Sequence, residues 1–474
     1  MTINSPIICL DVAIDHRIKR LCKPTLQPQG VPEPSEHLSI LQQHGVKLGR
    51  KTEEIRVTSR LAGPATTGGI LVTLKQPRYN HPFEKGLGAV IQDCETLSAL
   101  EQLFKAASCG TLSLKRHVSL VDLLPFTPQR VETVPPQALQ EAFEASRLAI
   151  CAKCPDVVLC AGRIWLPNED RNRTAGTENQ DGFDIKDGLQ KLEAAGVGQP
   201  DRYDAVGLQG NGRELVTMSR VNGFHPSYAV NYLPEHTNLR QLLLLNVVKT
   251  CGLYRGDWQE VRWMDTLRAE CFRLTDRINN EKKRIANQPQ NHDLERIVYG
   301  RSRTIPDYAR IYSTIQKDFL ASINKIENSP SRSGQDIYNN LLESGISYKC
   351  NDASVVLRKI RELWRTGGSD TNNVVNLSCI NKIGCDTIKI GEIFTEKPLQ
   401  TQNLRLREII EMGMINMSSC FTDLGLKIGF NIEMLADVFL QMAIAIEEML
   451  GDLLELEFGH SHGAPPRSSE PFRP

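Results

Sequence analysis

Residues 214–232 read ELVTMSRVNGFHPSYAVNY, and the middle of this stretch decides the fold. Up to Phe224 the run is rich in apolar and β-branched residues, which predicts a strand. His225-Pro226-Ser227 then stops it, because proline lacks the N–H that a ladder needs and restricts the residue before it. In an α/β sheet this stop holds the His225 imidazole at a carboxyl strand end, where such folds bind their ligands.

Working outward from that strand, the same pattern recurs. GGILVTL (68–74), HVSLVDLLPF (117–126) and PDVVLCAG (155–162) are short apolar runs bounded by glycine or proline, and each predicts a buried strand. Between them, ETLSALEQLFKAAS (95–108) and PPQALQEAFEASRLAICAKC (135–154) have helical spacing, the second with its prolines at the start, where they fit best. NLRQLLLLNVVKTCG (238–252) follows the last strand as another helix, and the polar stretch 166–212 reads as a loop or insertion. Alternating strands and helices, covered on both faces, predict an α/β domain over residues 45–275: a parallel four-stranded sheet flanked by helices.

The remaining chain divides by composition. Residues 1–44, with Pro24, Pro28, Pro32 and Pro34, read as an N-terminal arm. Residues 276–345 are polar and read as a linker with helical pieces, 346–459 as a mostly α-helical C-terminal module, and 460–474 as a disordered tail. In the module, Leu435, Phe439, Met442, Ile446, Met449, Leu453 and Leu456 alternate in steps of four and three, drawing one apolar seam along a helix over 433–457. That seam either packs into its own domain or serves homo- or hetero-association.

Bulk properties narrow the function. The chain has 474 residues, and its 56 lysines and arginines equal its 56 aspartates and glutamates, so no net charge draws it to nucleic acid. Residues 404–459 carry three basic side chains (Arg405, Arg407, Lys427) against ten acidic ones and would repel a phosphate backbone. The apolar run in PIICLDVAIDHRIKR is too short for a secretory signal and is broken by Asp11. MLADVFLQMAIAIEEML carries Asp437, Gln441, Glu447 and Glu448, which excludes a membrane span. Thirteen cysteines without regular spacing fit a reducing compartment, so the expected location is intracellular, nucleus or cytoplasm.

No metal or cofactor is expected. Cys151 and Cys154 form a single C-x-x-C, which supplies two of the four ligands that a metal site needs. Cys350, Cys379 and Cys385 are too loosely spaced to argue from, and His460 and His462 form a short H-x-H in the tail.

Four candidate strand ends carry residues suited to chemistry: TLKQPRYNHPFEKGLGAV (73–90), SLVDLLPF (119–126), CAG (160–162) and FHPS (224–227). In order and spacing these resemble the uracil-DNA glycosylase superfamily, over about half of the chain. The first loop shares a Pro-x-Tyr core and a downstream Gly-Leu, and His-Pro-Ser is intact as His225, Pro226 and Ser227.

The resemblance implies DNA or a nucleobase-like ligand as partner, with the base held in a pocket by its hydrogen-bonding edge. It implies that His225 donates to the base oxygen as negative charge develops there. Gln76, or Lys75, falls where the family has a carboxylate, and Asp122 where it has a base-reading asparagine. Pro77, Tyr79, Ser227 and Tyr228 complete the base-binding set, and Ser227 is a candidate phosphate anchor.

The departures bear on activity. Glutamine can orient a water but takes no proton. An ionised aspartate only accepts hydrogen bonds, so it would leave the O4 of uracil without a donor. Ala229 stands where the family has its wedge leucine, with Tyr228 as a stacking substitute. The expected function is therefore a divergent glycosylase-like protein whose activity is reduced or absent. Two other readings stay open: a regulatory or interaction protein working through the acidic C-terminal helices, and an enzyme acting on a small heterocyclic metabolite.

Overall fold

A computed structural model of the chain describes residues 12–26, 35–127, 133–163, 189–199, 205–210, 215–286, 303–328, 333–366 and 428–458. The chain divides into two compact units: Met1–Leu10 with Ile18–Ser302, and Asp11–Arg17 with Arg303–Pro474. One boundary falls inside the single-turn helix α1 (His16–Lys19).

The first unit is built on β1 (Ile70–Leu74), β2 (Ser119–Asp122), β3 (Val157–Cys160), β4 (Ala205–Gln209) and β5 (Leu215–Asn222). They form one five-stranded sheet in the order β2-β1-β3-β5-β4. β1, β2, β3 and β5 run parallel, and β4 is antiparallel to β5 at the edge. All residues of β1 and β3 are buried, as strands covered on both faces must be.

On one face, Leu71, Val121 and Val158 pack with Leu41 of α2 (Glu36–Lys47), Ala62 of α3 (Thr52–Ala62) and Leu139, Phe143 and Ile150 of α6 (Pro136–Lys153). Helices α4 (Leu87–Asp93) and α5 (Glu95–Ala107) lie between β1 and β2 in the chain. Helix α7 (Thr237–Arg255) packs on β1, β3 and β5 and is buried along nearly its whole length, which is why its sequence shows no polar face.

One sequence expectation is corrected in this unit. The sheet has five strands, not four, and the fifth, β4, lies in a stretch read as loop. Its burial alternates around Gly207, the weak signal of a half-covered edge strand. Helix α8 (Arg262–Ala286) follows α7, and the two units divide at Ser302/Arg303.

The second unit is helical. Its elements are α9 (Ile305–Glu327), α10 (Gly334–Ser344), α11 (Ile346–Thr366) and α12 (Ile428–Phe458). Much of the stretch read as a linker is thus ordered helix. Thr304 and Asp307 close a capping box at the start of α9, with proline in its first turn. Left-handed Gly345 (φ 59°) turns α10 into α11.

The apolar seam of α12 is covered by this unit itself. Leu435, Phe439, Met442, Ile446 and Met449 are buried with Tyr312, Phe319, Tyr338, Cys350, Leu357 and Ile360, and Phe319 meets Phe439 edge-on at 5.8 Å. The seam is core, not a free surface for a partner helix. Among the described residues no helix is long and apolar enough to cross a membrane.

The stretch read as an arm, 1–44, does three different things. Part of α2 packs on α6 in the first unit, and residues 27–34 lie outside the described set. Residues 12–17 are built into the second unit. Ala13 N–H donates to Asn351 Oδ1 (3.0 Å), and Asn351 Nδ2 donates back to Ala13 O (3.3 Å).

Candidate functional site

The carboxyl ends of the four parallel strands lie in register: Leu74 pairs with Asp122, and Thr73 with Cys160, which pairs with Asn222. Pairing continues one step past the strands, with Leu124 N–H donating to Lys75 O (2.9 Å) and Ala161 N–H to Thr73 O (2.9 Å). The exits are pressed together, because a Cβ at Gly162 would stand 2.3 Å from Lys75 N. A Cβ at Gly223 would stand 2.7 Å from Cys160 O. Only glycine permits these approaches. Lys75, Gln76, Asp122 and, three residues past β5, His225 therefore share one edge of the sheet.

His225 is held by its own turn. Ser227 N–H donates to His225 Nδ1 (3.3 Å), and Ser227 Oγ lies 2.6 Å from the same nitrogen. A nitrogen that accepts a backbone N–H carries no proton, which assigns the neutral ring its hydrogen on Nε2. Burial, then the Lys75 ammonium, push the imidazole down to about 4, so it is neutral at physiological pH. Among the described residues nothing bonds to Nε2. The arrangement is a neutral, oriented N–H donor with its outer face unused.

Asp122 behaves in the opposite sense. Burial alone pushes its carboxyl up to about 7, because desolvation disfavours the charged form. Among the described residues no group donates to it, while its backbone oxygen accepts Ser146 Oγ (2.9 Å). Near neutral pH it is therefore a mixture of acid and carboxylate, and as the acid it both donates and accepts.

The remaining candidates separate. Gln76 and Pro77 follow Lys75 directly, half-buried on the same loop. Tyr79 is 77% exposed and points into solvent, beyond an Arg78–Asp93 ion pair (3.2 Å) that closes the loop. Ser227 is engaged with the imidazole rather than turned outward. Tyr228 is half-buried, 6.3 Å from Tyr232, whereas Ala229 is fully buried.

Asp122 and His225 are separated by β1 and β3, roughly 14 Å at the usual strand spacing. A ligand touching both must lie across the ends of those two strands.

Cys94 is a neighbour that the sequence did not single out, whereas Lys75 entered there only as an alternative to Gln76. Lys75 biases His225, and the Asp122 charge reaches the Cys94 thiol, itself raised mainly by burial. The signal for Lys75 was available, since it is the first residue past β1.

A second polar cluster lies in the helical unit. Asp15, His16 and Glu447 are buried, with ligand atoms within 4.8 Å of one another. Their bonds are already used: Arg17 and Tyr348 donate to Asp15, while His16 gives both its backbone N–H (2.8 Å) and its Nδ1 (2.8 Å) to Glu447. Tyr338 Oη meets His16 Nε2 at 3.2 Å. This set works as a staple for residues 12–17. Of the other metal candidates, Cys151 is buried in α6 and Cys154 is its exposed left-handed cap. Cys379, Cys385, His460 and His462 lie outside the described residues.

No family model matches the chain, and neither a curated protein nor a solved structure matches it.

Proposed function

We propose that the α/β unit holds a nucleobase-like ligand at the carboxyl edge of its sheet, in the manner of the uracil-DNA glycosylases that its strand ends resemble, with base excision slow or absent. One observation supports this most: a neutral His225 and an Asp122 near its midpoint stand at the same edge, and among the described residues nothing bonds to Nε2 of the one or donates to the carboxyl of the other. A protonated Asp122 offers one acceptor and one donor, matching the N3–H and O4 of uracil. An ionised one would leave O4 unpaired, at a cost of about 1–3 kcal/mol. From the far side, His225 Nε2–H donates to an oxygen that gains negative charge if the base departs. Gln76 takes no proton, so the roughly 100- to 10,000-fold help of a general base is missing.

The test is binding of uracil, uridine and uracil-containing single strands at pH 6 and pH 8, with abasic sites scored in parallel. Binding is expected to be tighter at pH 6, where Asp122 is protonated, and Asp122→Asn should keep it at pH 8. His225→Ala should weaken binding and remove any cleavage. The reading fails if none of these ligands binds, or if His225→Ala and Asp122→Ala leave binding unchanged. Uridine bound without single-stranded DNA would favour a small heterocyclic metabolite as the ligand.

A further inference from the structure

We propose that the same unit carries a second site, at the opposite edge of its sheet, for a small phosphate-bearing organic anion such as a nucleoside diphosphate. A hollow of about 340 Å³ opens there, its walls including Arg56, Arg60, Lys115 and Arg116. Its volume falls within the range of roughly 300–1,000 Å³ usual for small-ligand sites. The position is fixed by chain order: Gly63–Ala65 precede β1, and Lys115 and Arg116 precede β2. With β1 about 16 Å long at ~3.3 Å per residue, this hollow and the His225–Asp122 edge cannot share a small ligand.

Charge selects the ligand. Arg56 is paired with Glu53 (2.6 Å). Arg60, Lys115 and Arg116 have no acidic partner among the described residues. Lys115 directs its ammonium toward Gly88 of α4, 3.8 Å from where a Cβ would stand, which leaves the two arginines as the principal unneutralised forks. Guanidinium forks match phosphate oxygens in bidentate fashion.

The opposite character is also present. Leu38, Pro64 and Ala65 line the hollow as well, giving an apolar bed for the organic body of the ligand. Inorganic phosphate alone would leave that bed uncovered.

The loop between the two characters is anchored before any ligand arrives. Ser119 Oγ donates to Gly63 O (2.9 Å). Lys153, almost fully buried, sends its ammonium to Pro64 O (3.1 Å) and Thr66 O. These bonds tie down the backbone at the rim through an amine that burial lowers to about 8. A preorganised rim lowers the ordering cost of binding.

Calorimetric titration of the full chain with ADP, pyrophosphate and adenosine tests the assignment. ADP should bind, pyrophosphate more weakly and adenosine not measurably, with the ADP affinity falling as salt rises. Arg60→Glu with Arg116→Glu should weaken ADP at least tenfold. Arg60→Gln with Arg116→Gln gives the same direction with less perturbation, should the reversal fail to fold. Uridine binding at the other edge should be unchanged in both variants, so the two sites fail separately. The proposal is overturned if ADP at millimolar concentration gives no heat, or if both double variants bind it as the parent does. It is equally overturned if only a single-stranded oligonucleotide responds to the variants, since a polymer track would then be the occupant.

Discussion

At the scale of single residues, the carboxyl edge pairs two groups whose titrations are displaced in opposite directions by one cause. Burial lowers His225 to about 4 and raises Asp122 to about 7. For Asp122 the folded state binds the proton more tightly than the unfolded chain, so stability falls as pH rises between about 4 and 7. Asp122→Asn should therefore raise stability at pH 8 by on the order of 2–3 kcal/mol, read as a higher melting temperature, with the gain vanishing near pH 4. Equal gains at both pH values would show that the carboxyl is not displaced.

Ser227→Ala removes a bond that supports the neutral ring of His225. The imidazole should then titrate up to about one unit higher, readable by NMR of its Cε1–H. Position was legible in the sequence at both sites, since proline halts one strand and Asp122 precedes a turn. The protonation of Asp122 was not, because it depends on which side chains surround the carboxyl rather than on its neighbours in the chain.

At the scale of elements, apolar runs bounded by glycine or proline located four strands, because buried parallel strands carry continuous hydrophobic residues. The fifth, β4, escaped because an edge strand needs only one covered face and Gly207 interrupts it. The tight crossing at Gly162 was equally hidden, as nothing local marks a backbone that passes another at contact distance. Gly162→Ala should force Leu74 and Lys75 aside and cost 1–3 kcal/mol or more, by analogy with overpacked cores at about that magnitude. Denaturant unfolding measures the cost, and loss of uridine affinity would accompany it.

In the helical unit, Asn351→Ala deletes both bonds to Ala13, at about 0.5–1.5 kcal/mol each. Limited proteolysis near residue 12 should accelerate. Leu435, Phe439 and their successors were legible as one seam, but whether another copy or the chain itself covers it is a tertiary fact.

For the whole molecule, acid should be the more damaging extreme. Burial lowers His37 and His81 to about 4, as it does His225, and each was near 6.5 in the unfolded chain. Their contribution is complete above pH 6.5 and is lost as pH falls toward 4, outweighing the opposing carboxyls at Asp122 and Glu54, which burial raises. All three lie in the α/β unit, so calorimetry should show its transition moving down across that window. Removal of residues 1–17 should act elsewhere, lowering the transition of the helical unit, whose staple includes His16 and Glu447.

That staple also sets an order of assembly. His16 and Glu447 are 431 positions apart, so a ribosome adding about 5–20 residues per second releases the second partner tens of seconds after the first. The α/β unit can close in that interval, while the head of the chain waits without its receptor. Among the described helices α12 is the last to emerge, and it brings Glu447, so a chain terminated before it keeps residues 12–17 without the carboxylate that anchors His16.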